Sequence, residues 1–214
     1  MRCTGEKGPG RDRVIALHRS RLTAAELGQG TTWAVMLHQT DGDGLCGWWE
    51  YGLWLSERDV HVLMFDLCGY GRSVCKGRDD SDQVAQATAM VKYARDHGAT
   101  RVTVVGASMG GAVALPTASA SRADAVVDLS GPPDWPGTDL ARDAQTLTMP
   151  TLLAVSPTDP LSVPAFRQAV KRIPAATKRL DVLPGGHGYV MLGYPGGWSR
   201  LATTVQHWIV GDYH

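Results

Sequence analysis

Short apolar, β-rich runs alternate along this chain with longer stretches in which apolar residues recur every three or four positions. Residues 33–37, 60–65, 102–105, 125–129, 151–155 and 179–183 are runs of the first kind, the signature of strands buried on both faces of a parallel sheet. Residues 48–58 carry helical spacing at Trp48, Tyr51, Trp54 and Leu55. Ser81 or Asp82 caps a helix marked by Val84, Ala87, Val91 and Ala94 and ended by Gly98. Further helices are expected at 109–120, 138–147, 164–172 and 198–210, the last with Leu201, Val205, Trp208 and Ile209 on one side. Residues 13–21 read as an initial edge strand before a glycine-rich turn at 28–30, and residues 1–12 as a disordered tail. Strands alternating with helices of this length predict one α/β domain over 13–214, a mostly parallel sheet covered on both faces. Such sheets carry their ligands at the carboxyl ends of the strands, in the strand-to-helix loops.

One of those loops holds a reactive-looking residue. After the run 102–105 comes Gly106-Ala107-Ser108-Met109-Gly110, then a helix of small residues interrupted by Pro116, which should kink it. A serine at the tip of so sharp a strand-to-helix turn needs glycine two residues before and two after it, where a side chain would wedge strand and helix apart. A serine hydroxyl is a weak nucleophile at neutral pH and requires a base, with a third group to orient that base. Seven histidines compete. His187 stands out, because Pro184-Gly185-Gly186-His187-Gly188 follows the last strand and its glycines let the loop carry an imidazole over the sheet end. Asp159, after the run 151–155, is the chosen orienting acid, with Asp134 and Asp128 as rivals.

Composition narrows the classes. The chain has 214 residues with 21 basic and 21 acidic side chains, so no basic footprint for nucleic acid or anionic membrane is visible. No stretch approaches the ~20 apolar residues of a membrane span, and the expectation is a soluble, cytoplasmic protein without nucleic-acid or membrane partners. Cys3, Cys46, Cys68 and Cys75 form no Cys-x-x-Cys pair and no zinc spacing. Free thiols are the expectation in a cytosolic enzyme, although Cys68 and Cys75 flank a tight loop and lie near enough in sequence to pair. Asp41-Gly42-Asp43-Gly44 lacks the further ligands of a calcium loop and reads as a turn. No metal or cofactor is expected.

The order Ser108, Asp159, His187, the elbow Gly106–Gly111 and the loop Phe65-Asp66-Leu67-Cys68-Gly69-Tyr70-Gly71-Arg72-Ser73 resemble α/β-hydrolase proteins over nearly the whole chain. The resemblance implies a central sheet of about seven to eight strands with minimal or no cap, since only 130–150 are available for an insertion, and hence an open or shallow site. It implies a Ser-His-Asp triad acting on a small-molecule ester, thioester or related acyl bond, as in a carboxylic ester hydrolase. Backbone N–H groups of Thr40 and Met109 would form the oxyanion hole. The chain departs from the family in carrying His38-Gln39-Thr40 where His-Gly is common, so Gln39 either lines the pocket or packs beside it. Trp48, Trp49, Tyr70 and Trp135 are candidate pocket walls, with burial in the core as the alternative for the tryptophans. An acyltransferase, lyase or cyclising enzyme on the same triad, or a binder that has lost catalysis, fits the same motifs. A carboxylate nucleophile, as dehalogenases and epoxide hydrolases use, is disfavoured by the serine at the elbow.

Overall fold

The computed structural model describes residue 3 and residues 10–41, 44–159, 162–193 and 196–213. Eight strands form one sheet: β1 (Arg11–Leu17), β2 (Ser20–Leu27), β3 (Thr32–Leu37), β4 (His61–Phe65), β5 (Arg101–Ala107), β6 (Ala125–Leu129), β9 (Thr151–Val155) and β10 (Lys178–Val182). Their order is β1-β2-β4-β3-β5-β6-β9-β10. From β4 to β10 every pairing is parallel, while β1 and β2 run antiparallel at one edge. Burial explains the ordering. Strands β3 to β6 and β9 are buried almost throughout, whereas the edges β1 and β10 are mostly exposed or half-buried, as strands covered on both faces and strands at an edge should be.

Alternate residues of each central strand enter two apolar layers. Trp33, Val35, Val104 and Val126 pack against α2 (Gln83–Asp96), α3 (Met109–Ser121) and α5 (Ser162–Arg172). Ala34, Met36, Val105 and Val127 pack against α1 (Trp49–Ser56) and α6 (Arg200–Val210). Helix α3 runs through Pro116 to Ser121 without a break.

Several local expectations are corrected. The edge strand expected at 13–21 is a hairpin of β1 and β2, reversed at His18, whose φ is 48°; no Gly, Asn or Asp announces that left-handed turn. The helix expected over 48–58 is a 3₁₀ turn, Gly44–Trp48, followed by α1. The helix expected over 138–147 begins two residues later: β7 (Asp134–Trp135) and β8 (Thr138–Asp139) pair across Pro136-Gly137, and Asp139 then caps the one-turn α4 (Leu140–Asp143) by accepting the Arg142 N–H at 2.8 Å. Of the tail expected to be disordered, Arg11 and Asp12 belong to β1 and Cys3 is cross-linked, while residues 1, 2 and 4–9 lie outside the described residues. Residues 42 and 43 of the expected turn also lie outside them.

The cysteines are not free thiols. Cys3 is bonded to Cys46 and Cys68 to Cys75, with Cα separations of 5.2 Å and 5.8 Å, near the modal span of a disulfide. No helix among the described residues is long and apolar enough to cross a membrane.

Asp128 is an acid inside β6, buried on the α3 side of the sheet. Its Oδ1 accepts the Gly131 N–H at 2.7 Å and its Oδ2 has no partner among the described residues. Burial pushes this carboxyl from 3.8 up to about 7, opposed only by the Gly131 hydrogen bond. Raised above its unfolded value, the group keeps its proton in the native chain while the unfolded chain loses it. Stability therefore declines as pH climbs through the interval between those two values and is level above it. Asp128→Asn mimics the protonated form. The variant should melt with wild type below about pH 4, rise progressively above it as pH climbs toward about 7, and keep a constant margin beyond that, as read by calorimetric scans.

Candidate active site

The elbow is built by contact between backbones. Ser108 sits between β5 and α3 with φ 51° and ψ −120°, a conformation that costs a non-glycine residue on the order of 1–3 kcal/mol and persists only where its surroundings impose it. Those surroundings are hydrogen bonds and close packing. The Ser108 N–H donates to the Leu129 carbonyl at 2.8 Å, and its own carbonyl accepts from Gly111 at 2.7 Å and Ala112 at 3.1 Å. A Cβ on Gly106 would lie 2.0 Å from the Gly110 oxygen, one on Gly110 2.3 Å from the Leu37 oxygen, and one on Gly111 2.2 Å from Asp128 Oδ1. Three glycines are thus required by three different neighbours.

His187 reaches this serine. Gly185, Gly186 and Gly188 have φ of 138°, 97° and 60°, and the loop they form places His187 Nε2 at 2.7 Å from Ser108 Oγ. The other ring nitrogen, Nδ1, lies 3.4 Å from Asp159 Oδ2. Asp159 is itself held in a turn by its N–H to the Ser156 carbonyl at 3.0 Å, while its carbonyl accepts from Ser162 at 3.1 Å, the first residue of α5. Serine, imidazole and carboxylate form one connected line along the carboxyl rim of the sheet. The rivals stand elsewhere: Asp134 is exposed on β7, and Asp128 is buried under the start of α3. The His187 side chain is 49% exposed and that of Asp159 27%, so the line is open to water.

The loop after β3 is shaped by a histidine that sequence reasoning passed over. His38 is fully buried; its Nε2 accepts the Leu67 N–H at 3.0 Å, which leaves Nδ1 to donate to the Gln39 carbonyl at 2.7 Å. A trans peptide points its C=O and N–H in opposite directions. Turning the Gln39 carbonyl back toward His38 therefore turns the Thr40 N–H away from it. On the other side of Ser108, the Met109 N–H is the first of α3 and has no intrahelical acceptor. Tyr70 packs edge-on against His38, with ring centroids 4.7 Å apart.

The remaining candidates divide. Gln39 is half-buried, its Nε2 donates to Asp41 at 3.1 Å, and its Oε1 lies against Gly188, where a Cβ would come within 2.1 Å. Trp135 is half-buried and donates Nε1–H to Gln83 Oε1 at 2.8 Å; Gln83 Nε2 in turn donates to Met109 Sδ at 3.5 Å. Trp48 is not a pocket wall: it is wholly buried in the α1–α6 layer, and Trp49 is 3% exposed in the same layer. Trp48 closes the 3₁₀ turn and Trp49 opens α1, and both rings pack inward from that junction. Gln83 reads in sequence as an ordinary first residue of a helix and gave no signal. Cys68, Cys75 and Asp80 place potential metal-ligand atoms within 4.8 Å of one another, but the two sulfurs are bonded to each other and offer no thiolate.

Comparison with known proteins agrees with this fold. A family model described as "Alpha/beta hydrolase family" matches residues 34–148. An esterase of Pyrococcus furiosus superposes with a TM-score of 0.74 at 19% identity, covering 94% of this chain and 93% of that one. A proline iminopeptidase of Mycobacterium smegmatis gives 0.76 at 13% identity over 94% and 98%, and a monoacylglycerol lipase of Paleococcus ferrophilus 0.69 at 16% over 89% and 99%. At these identities the likeness is one of fold. No curated protein matches the sequence.

Gly106→Ala tests the elbow's close packing. The added methyl meets backbone oxygen rather than a movable side chain, so the variant should lose about 3 kcal/mol of stability, at the upper end for overpacking, measured by urea denaturation.

Proposed function

The chain belongs to the alpha/beta hydrolase family, and on that premise we propose that it is a serine hydrolase acting on an ester, thioester or related acyl bond through an acyl-enzyme intermediate. The observation that carries this reading is the 2.7 Å approach of His187 Nε2 to Ser108 Oγ, with Asp159 on the far side of the same ring. The serine oxygen attacks the acyl carbon as the imidazole takes its proton, and the ring then returns that proton to the departing alcohol or thiol. Asp159 holds Nδ1 protonated, so that Nε2 faces the serine as an acceptor, and offsets the charge of the imidazolium. The N–H groups of Thr40 and Met109 receive the negative charge that develops on the carbonyl oxygen, and the start of α3 adds the positive end of its dipole.

Water completes the cycle. The half-exposed His187 ring stands where solvent can approach the acyl carbon, and the same nitrogen that protonated the leaving group takes a proton from the incoming water. This access favours hydrolysis over transfer to a second acceptor, which requires water to be kept out.

Ser108→Ala should abolish labelling by a fluorophosphonate probe and lower kcat for p-nitrophenyl butyrate by at least about a thousandfold, the scale for loss of a triad member. Labelling equal to wild type would overturn the reading. Asp159→Asn should keep the fold and lower kcat/KM by several hundredfold or more through the wrong tautomer of His187, with circular dichroism as the control.

A further inference from the structure

Three exposed cations surround one hollow on the rim that carries Ser108. The hollow, about 580 Å³, is lined by Arg19 at the β1–β2 turn, by Lys76 and Arg78 ahead of α2, and by His18, Asp79 and Asp82. Because β2 is antiparallel to β4, with Ala24 opposite Phe65, its first residue Ser20 lies beyond the carboxyl end of β4. That is the end at which β5 delivers Ser108.

The two acids in the lining are already engaged. Asp79 accepts from Ser20 Oγ at 2.6 Å and contacts His18 Nδ1 at 2.9 Å; these bonds, the serine's first, hold its carboxyl below the usual range. Asp82 accepts the Ala85 N–H at 2.9 Å and caps α2. Arg19, Lys76 and Arg78 are exposed and make no ion pair among the described residues. Asp79 also lies in the field of Arg78, so three cations face two carboxylates in the lining and leave a surplus of positive charge, with two arginines and a lysine around one concavity as a donor set suited to an oxyanion.

The start of α2 lies between the hollow, which Asp82 and Ala85 line, and the candidate active site. Gln83, next in sequence to Asp82, donates to Met109 beside the nucleophile and holds Trp135 on the β7–β8 hairpin. From β2 to β5 the sheet order is β2-β4-β3-β5, three strand spacings or on the order of 14 Å.

We propose that this hollow binds the oxyanion-bearing end of the substrate's leaving group, a phosphate or a carboxylate carried on an extended linker from the scissile acyl bond. This deepens the serine-hydrolase reading and rests on it for the reaction, though not for the binding. Substrates are then acyl esters or thioesters whose alcohol or thiol half is anionic at its far end. The three cations act on KM, while the triad acts on kcat.

Two thioesters with the same reacting bond separate these contributions: butyryl-coenzyme A, whose thiol half carries phosphates, and S-butyryl-N-acetylcysteamine, which lacks them. Wild type should show a kcat/KM at least about tenfold higher for the first. That preference should shrink as salt screens the exposed charges, and inorganic pyrophosphate should compete with it. In the variant combining Arg19→Ala, Lys76→Ala and Arg78→Ala, the preference should vanish while the neutral thioester is hydrolysed as by wild type. Inhibition by citrate equal to that by pyrophosphate identifies a carboxylate as an equally good occupant, and weaker inhibition identifies a phosphate. A preference that survives in the triple variant overturns the proposal. If wild type cleaves neither thioester, calorimetric titration of Ser108→Ala with pyrophosphate decides the binding claim alone. Heat lost on removing the three cations supports the hollow, and no heat overturns it, whatever becomes of the hydrolase reading.

Discussion

The structure depends on how closely helix α3 is pressed onto the end of β5. No side chain separates them: Gly106 faces the Gly110 carbonyl, Gly110 faces Leu37 on β3, and Gly111 faces the Asp128 carboxyl on β6. A helix standing one side chain farther off would let Ser108 relax out of its positive φ and carry its hydroxyl away from the rim. The strain at that one residue is therefore sustained by three strands at once. Helix and strands are in turn held by the apolar layer beneath α2, α3 and α5, so the stability of the core is what keeps the hydroxyl exposed.

Around this fixed point the other groups of the proposed site arrive on loops, each anchored differently. His187 depends on glycines whose backbone angles few other residues tolerate, and Asp159 on a turn that runs into α5. The segment after β3 depends on His38, which joins the ends of β3 and β4 through both ring nitrogens. Strand order is the reason these can meet: β3 and β6 flank β5, and β9 lies beyond β6, so residues far apart in sequence emerge on the same edge within a few strand spacings.

How much of this was legible follows from what each feature rests on. The central strands were readable because strands buried on both faces must be continuously apolar, and 33–37, 125–129 and 151–155 coincide with strand cores. The elbow at Ser108 and the loop that carries His187 were readable because glycines at fixed offsets leave a trace in sequence. The hairpin at His18 left none, since its backbone angle is imposed by the pairing of β1 with β2 rather than by residue type. The helix expected at 138–147 starts late for a similar reason. Pro136-Gly137 folds a short hairpin, and a cap by Asp139 outranks the apolar spacing that follows. Trp48 stood open between pocket wall and core because apolar spacing shows that a face is buried without showing against what, and the structure puts it in the core. The roles of His38 and Gln83 lie in single contacts between distant segments, which periodicity does not encode.

The two cross-links have a consequence of their own. Neither lies within the paired strands of the ladder. Cys46 stands in the 3₁₀ turn after the Gln39–Thr40 segment, and Cys68 follows Leu67, whose N–H secures His38. Thiol-reducing surroundings would slacken these border segments while leaving the eight-stranded ladder and both oily layers in place. Such a molecule would forfeit its competence before its shape, and a probe of folding alone would report it as intact.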